Sequence, residues 1–227
     1  VEMIYQFFRD LSTYMAAKAN DGSEPPFTSL RQVPLRCVAN FKIPDFEALM
    51  SGGTPGLVPF DNAFFVPAGG LIPGYPEEDS IMFGQGSTVD FSYDADVIYH
   101  EFTHAVIDTK VGLASATYDQ YGLVSDPGAM NEGYADFFSS TYTGDPNLAE
   151  YVGTALEQDG GNLRNMLNTK KCPDDASGEV HADSEYWAAA RWAVRKYGLD
   201  NGKTLNDING AVFSALLTLP QEASYTA

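Results

Sequence analysis

A chain of 227 residues with 44% hydrophobic and 19% charged residues has a core-forming globular composition, long enough for one domain or two small lobes. Its net charge of −18 argues against nucleic acid and anionic membrane as partners, and no apolar run approaches the roughly 18 residues of a membrane span. Two cysteines, Cys37 and Cys172, are too few and too far apart for a metal knuckle; they allow one disulfide or two buried free thiols.

The first predicted element is a helix over residues 2–18, with Met3, Ile4, Phe7, Phe8, Leu11, Tyr14 and Met15 at helical spacing. No signal peptide precedes it, so the numbering is expected to begin inside a larger precursor. Asn20-Asp21-Gly22-Ser23 and Pro25-Pro26 end the helix. Val33 to Ile43 reads as a strand, Ser51 to Gly56 as a loop, Asp61 to Pro67 as a short strand, Gly69-Gly70 as a turn and Ser80 to Gly84 as another strand. From about Asp94 the pattern becomes helical, with helices expected over 94–110, 128–142, 146–156, 183–197 and 204–218. Strands first and helices later give an α+β class. The expected division is 1–126, a small mixed sheet with one long helix, and 127–227, a mainly helical lobe that looks short at Ser224-Tyr225-Thr226-Ala227.

The helix over 94–110 carries His100-Glu101-Phe102-Thr103-His104. Residues four apart share a helix face, so both imidazoles reach one Zn²⁺, and Glu101 lies where it can hold a metal-bound water. The chain has only three histidines, and two fall in this spacing. A pair of surface histidines would not account for the apolar flanks Val97, Ile98, Phe102, Ala105 and Val106. A catalytic zinc needs a third protein ligand. A third His six residues on is excluded, because Lys110 stands there and Ile107 stands where that pattern needs Gly. A Glu from a second helix is the other solution, and Asn131-Glu132-Gly133-Tyr134-Ala135-Asp136 follows downstream.

His-Glu-x-x-His followed by Asn-Glu-x-x-x-Asp resembles the pattern of the thermolysin-like zinc endopeptidases, and the resemblance covers most of the chain. It implies that Glu132 is the third ligand, that Asp136 accepts a hydrogen bond from one ligand imidazole, and that Asn131 supports the other. Asn62-Ala63-Phe64-Phe65 looks like the edge strand that pairs with substrate backbone, and Met82 to Gly86 like the next strand. Leu163-Arg164 resembles the segment whose arginine meets a substrate carbonyl, and Gly178-Glu179-Val180-His181 the one whose histidine steadies the transition state. Val97 and Leu163 match the apolar pocket for the leaving-group residue. The implied protein is a secreted two-lobe zinc metalloendopeptidase acting on peptides or proteins, with Glu101 as the base.

The chain departs from that pattern in several places. The gap from His104 to Glu132 is long, and Tyr118 and Tyr121 compete for the family's assisting tyrosine. The gap from Arg164 to His181 is short, leaving Asp175 or Asp174 to orient His181. Of the family's calcium carboxylates only Asp96 matches, although Glu77-Glu78-Asp79, Asp94-Asp96 and Asp174-Asp175 offer clustered oxygens, so Ca²⁺ stays open as a second ion. The rival readings are a zinc-bound peptide-binding pseudo-protease, against which the intact Glu101 argues, and an aminopeptidase on the same scaffold. Oligomeric state is not legible.

Overall fold

The computed structural model describes residues 1–71, 75–120 and 122–225. It is an α+β fold in which helices outweigh strands. Helix α1 (Glu2–Ala19) buries Ile4, Phe8 and Leu11 and ends at Asn20 in the left-handed region (φ 50°). Met3, expected in the apolar stripe, is 62% exposed instead. The first strand, β1 (Arg36–Pro44), starts three residues later than its pattern suggests. A one-and-a-half-turn helix α2 (Phe46–Met50) and a short strand β2 (Leu57–Pro59) follow. Both were missed because five and three residues are too short to show a period.

Strands β3 (Ala63–Val66) and β4 (Ser80–Gly84) complete a four-stranded sheet of order β2-β1-β4-β3. β4 is central and wholly buried, parallel to β1 and antiparallel to β3. That explains its unbroken apolar run Ile81-Met82-Phe83. β3 is left at the edge, with one side of its backbone unpaired by the sheet.

The path into β3 is fixed by Gly84. Its N–H donates to Asn62 O at 2.9 Å. A Cβ on Gly84 would lie 2.0 Å from Phe60 O and 2.4 Å from Asn62 O. No backbone can retreat cheaply from such a clash, so only glycine lets residues 60–62 cross here and turn into the edge strand.

Helix α3 (Ala95–Lys110) packs against β3 and is capped by Asp94, whose side chain accepts from Asp96 N. A hairpin of β5 (Thr117–Asp119) and β6 (Gly122–Val124) leads to α4 (Asp126–Thr143), which packs along α3 and ends at Gly144 (φ 82°). The helix expected over 146–156 is shorter. Asn147–Leu148 forms strand β7, Ala149 takes a left-handed turn (φ 59°), and only Glu150–Ala155 is helical (α5). β7 pairs with β8 (Arg164–Asn165). Helices α6 (Val180–Asp200) and α7 (Leu205–Leu217) close the fold, with a Thr204/Asp207 capping box on α7.

One core runs through both halves. Ile4 and Phe8 of α1, Ile81 and Phe83 of β4, Phe102 and Val106 of α3, Phe137 and Phe138 of α4, and Phe213 of α7 belong to a single buried cluster. Cys37 and Cys172 are both free and exposed, neither bridged nor buried. No helix among the described residues is long and apolar enough to cross a membrane.

Gly84→Ala should destabilise the chain by about 3 kcal/mol, the upper end for overpacking, because the clash is with backbone. At about 2–4 °C per kcal/mol for this size, thermal unfolding should come about 6–12 °C lower. An unchanged midpoint in a calorimetric scan would show that the crossing at residues 60–62 is loose.

Candidate metal centre

Helices α3 and α4 bring the site together. His100 and His104, one turn apart on α3, turn their Nε2 atoms toward each other at 3.0 Å. Glu132, from the facing side of α4, places Oε2 3.1 Å from His100 Nε2 and Oε1 3.5 Å from His104 Nε2. Ligand atoms of these three residues lie within 4.8 Å of one another, and no other such His/Cys/Asp/Glu group occurs among the described residues.

The outer ring nitrogens are held by the same helix. His104 Nδ1 is 2.9 Å from Asn131 Oδ1, and His100 Nδ1 is 2.9 Å from Asp136 Oδ1. Asn131 as acceptor favours the proton on Nδ1 of His104 and leaves its Nε2 lone pair facing the cluster; Asp136 contacts His100 Nδ1 outside hydrogen-bond geometry, and the Nε2 lone pair of His100 is free once its proton is given up. Two lone pairs and a carboxylate converging on one point repel unless a cation sits among them. The donor set therefore fits a divalent metal: two imidazoles, one carboxylate and room for water.

The charges agree. Burial would keep His100 neutral, but Asp136 and Glu132 outweigh it and push its pKa up to about 10. A proton and a metal ion thus compete for the same electrons on His100, and metal uptake releases that proton. Burial would raise Glu132 and Asp136. For Glu132, His104, His100 and Arg164 hold it well below the usual carboxylate range; for Asp136, Arg164 and His100 do so.

Arg164, placed by β8, grips Asp136 through both arms of its guanidinium, Nε to Oδ2 at 2.8 Å and Nη2 to Oδ1 at 2.6 Å. It lies 3.9 Å from Glu132 Oε2 and also lines the cleft.

Glu101 is buried, and its Oε2 has no protein partner. Burial raises its pKa, with His100 and His104 opposing. It lines a cleft of about 700 Å³ with the metal cluster, Asn62, Ala63, Val97, Leu163 and Arg164.

His181 is in the first turn of α6, with Nε2 3.7 Å from Glu132 Oε1. Its Nδ1 is 2.7 Å from Glu179 Oε1, so Glu179 holds it, not Asp175 or Asp174. Asp175 is turned away and accepts from Lys171 N. The reason is local: Glu179 is the N-cap of α6, its other oxygen accepts from Ala182 N, and a residue two positions away reaches the same imidazole. Glu179 was missed by sequence reasoning, although a carboxylate three residues before Ala182 is a capping signal.

Tyr118 is 80% exposed and is not among the residues lining the cleft; Tyr121 lies outside the described residues. Three of the carboxylates weighed for calcium accept hydrogen bonds from backbone N–H groups. Asp94 and Asp96 accept from Val152 N and Ala149 N, and Asp79 accepts from Ala68 N. No protein-family profile matches the chain, and no curated protein is similar to it in sequence.

One divalent ion per chain should be found by elemental mass spectrometry after dialysis, and His104→Ala or Glu132→Ala should lose it. A ligand at about a thousand times its Kd stabilises by about 4 kcal/mol, so chelation should lower the unfolding midpoint by about 8–16 °C. Full metal retention in both variants would disprove the assignment.

Proposed function

We propose that this protein is a zinc-dependent endopeptidase similar to the thermolysin-like enzymes. The observation that supports the reading best is the juxtaposition of the two facing Nε2 atoms and Glu132 with the unpartnered Oε2 of Glu101, in a cleft walled by the edge strand β3. A purely structural metal site has no use for a buried carboxylate aimed beside it. Zinc is the ion that suits two imidazoles and one carboxylate with an open fourth place.

When bound, zinc would supply Lewis acidity to a water and to the scissile carbonyl. Glu101 takes the proton as that water attacks and passes it to the leaving amine nitrogen. Its raised pKa suits a group that must both accept and release a proton. In its protonated form His181 keeps one N–H on Glu179 through Nδ1 and has the other, at Nε2, to donate to the developing oxyanion. The edge of β3 accepts an extended peptide by backbone hydrogen bonds, which are indifferent to side chains. Selectivity then falls to the apolar end of the cleft at Val97, Leu148 and Leu163, which suits Leu, Phe, Ile or Val on the leaving-group side. Burying such a side chain is worth about 1.5–3 kcal/mol, roughly ten- to a hundredfold in rate.

Glu101→Gln should keep the metal and lose nearly all cleavage of an internally quenched peptide, while His181→Ala should keep the metal and lose two to three orders of magnitude, about 3–4 kcal/mol. Efficient cleavage by the Glu101 variant would remove it as the base.

A peptide library read by mass spectrometry should show internal cuts before bulky apolar residues. Cuts confined to the first residue of each peptide would make the enzyme an aminopeptidase instead.

A further inference from the structure

The cleft runs past the metal cluster in both directions along α3. One end of the α3 wall is marked by Val97, three residues before His100, and Leu148 and Leu163 also line the cleft. The other is marked by Asp108, four residues after His104. Positions 100, 104 and 108 share one helix face, so Asp108 looks onto the same cleft as the imidazoles, about 6 Å further along the axis than His104.

Val66, Leu71, Leu113 and Ala114 are among the apolar residues that line the cleft together with Asp108. Arg31 donates to Asp108 Oδ2 at 2.5 Å and lies 3.8 Å from Asp79 Oδ2. Asp79 is almost fully buried; Arg31 is 53% exposed at its side chain. One guanidinium shared between two carboxylates leaves the three side chains with a net charge of −1, and Asp108, the closer partner of Arg31, is the one that lines the cleft.

We propose that Asp108 is a specificity-determining residue that selects a lysine or arginine side chain two or three residues before the scissile bond. The position follows from the layout. The leaving-group side chain is assigned to the Val97 and Leu163 end, so residues upstream of the bond lie toward Asp108. An extended chain advances about 3.3 Å per residue, so the distance past His104 corresponds to the second or third upstream residue. The inference rests on the endopeptidase reading and adds to it a second, electrostatic criterion at the opposite end of the cleft.

The test uses zinc-loaded full-length protein and acetylated peptides that share a Leu after the scissile bond. They differ only in Lys, Gln or Glu at the second and third upstream positions. Acetylation removes the chain-end ammonium as a competing cation. The Lys peptides should be cleaved about fivefold faster in kcat/KM than the Gln peptides, the upper range for a solvent-accessible ion pair, with the Glu peptides slowest. The advantage should shrink in high salt. Asp108→Asn should bring the Lys-to-Gln ratio to about one. Arg31→Gln, which leaves Asp108 charged and removes its competitor, should raise that ratio above the parent's. Equal rates for Lys, Gln and Glu peptides in the parent, or an unchanged ratio in Asp108→Asn, would overturn the assignment while leaving the hydrolase intact. No cleavage of any peptide by zinc-loaded protein would overturn the endopeptidase reading and the inference with it.

Discussion

Asp136 is the residue on which the rest of the site depends. It is fully buried, and a carboxylate taken out of water is tolerated only when charge and hydrogen bonds surround it. Arg164 meets it with two arms from β8, and His100 meets it from α3 at 2.9 Å. Three elements that are distant in sequence are thereby tied to one carboxyl group on α4. Removing that group would leave a guanidinium buried without its partner and an imidazole without its orienting acceptor. The site and the helix packing are therefore one structure, since the same ion pairs that hold His100 beside the cluster also tie α3, α4 and β8 together.

The central helix and the cluster of possible metal ligands were legible because they obey a period. His100 and His104 are one turn apart, as are Glu132 and Asp136, and each pair lies on a helix whose apolar residues announce it. The central strand β4 was legible as an uninterrupted apolar run. What escaped were elements set by tertiary context. β2, β7 and β8 are two or three residues long and exist only because a neighbour pairs with them. The expected helix over 146–156 lost its first turn to such a pairing and to the left-handed Ala149.

The orientation of His181 shows why spacing alone was insufficient. Asp175 and Asp174 were reasonable in sequence because an acidic residue upstream of the histidine was expected. The chain instead folds so that residues 174 and 175 sit in an exposed turn closed by a bond from Lys171 N, while the helix-capping residue supplies the carboxylate. Capping and orienting are both local requirements at the start of α6, and one glutamate meets them together. The bridging or burial considered for Cys37 and Cys172 depended on long-range placement, which no periodicity encodes.

The open edge of β3 carries a further consequence. An unpaired strand edge is a template for any extended chain, including the edge of another copy of the same protein. Here the edge is only four residues long and Pro67, with no N–H to donate, follows directly after it. The chain's charge of −18 adds a colloidal barrier, since two copies approaching within the Debye length of about 8 Å repel before their backbones meet. Concentrated salt should thin that barrier and bring the short edge strands of neighbouring molecules within reach of each other.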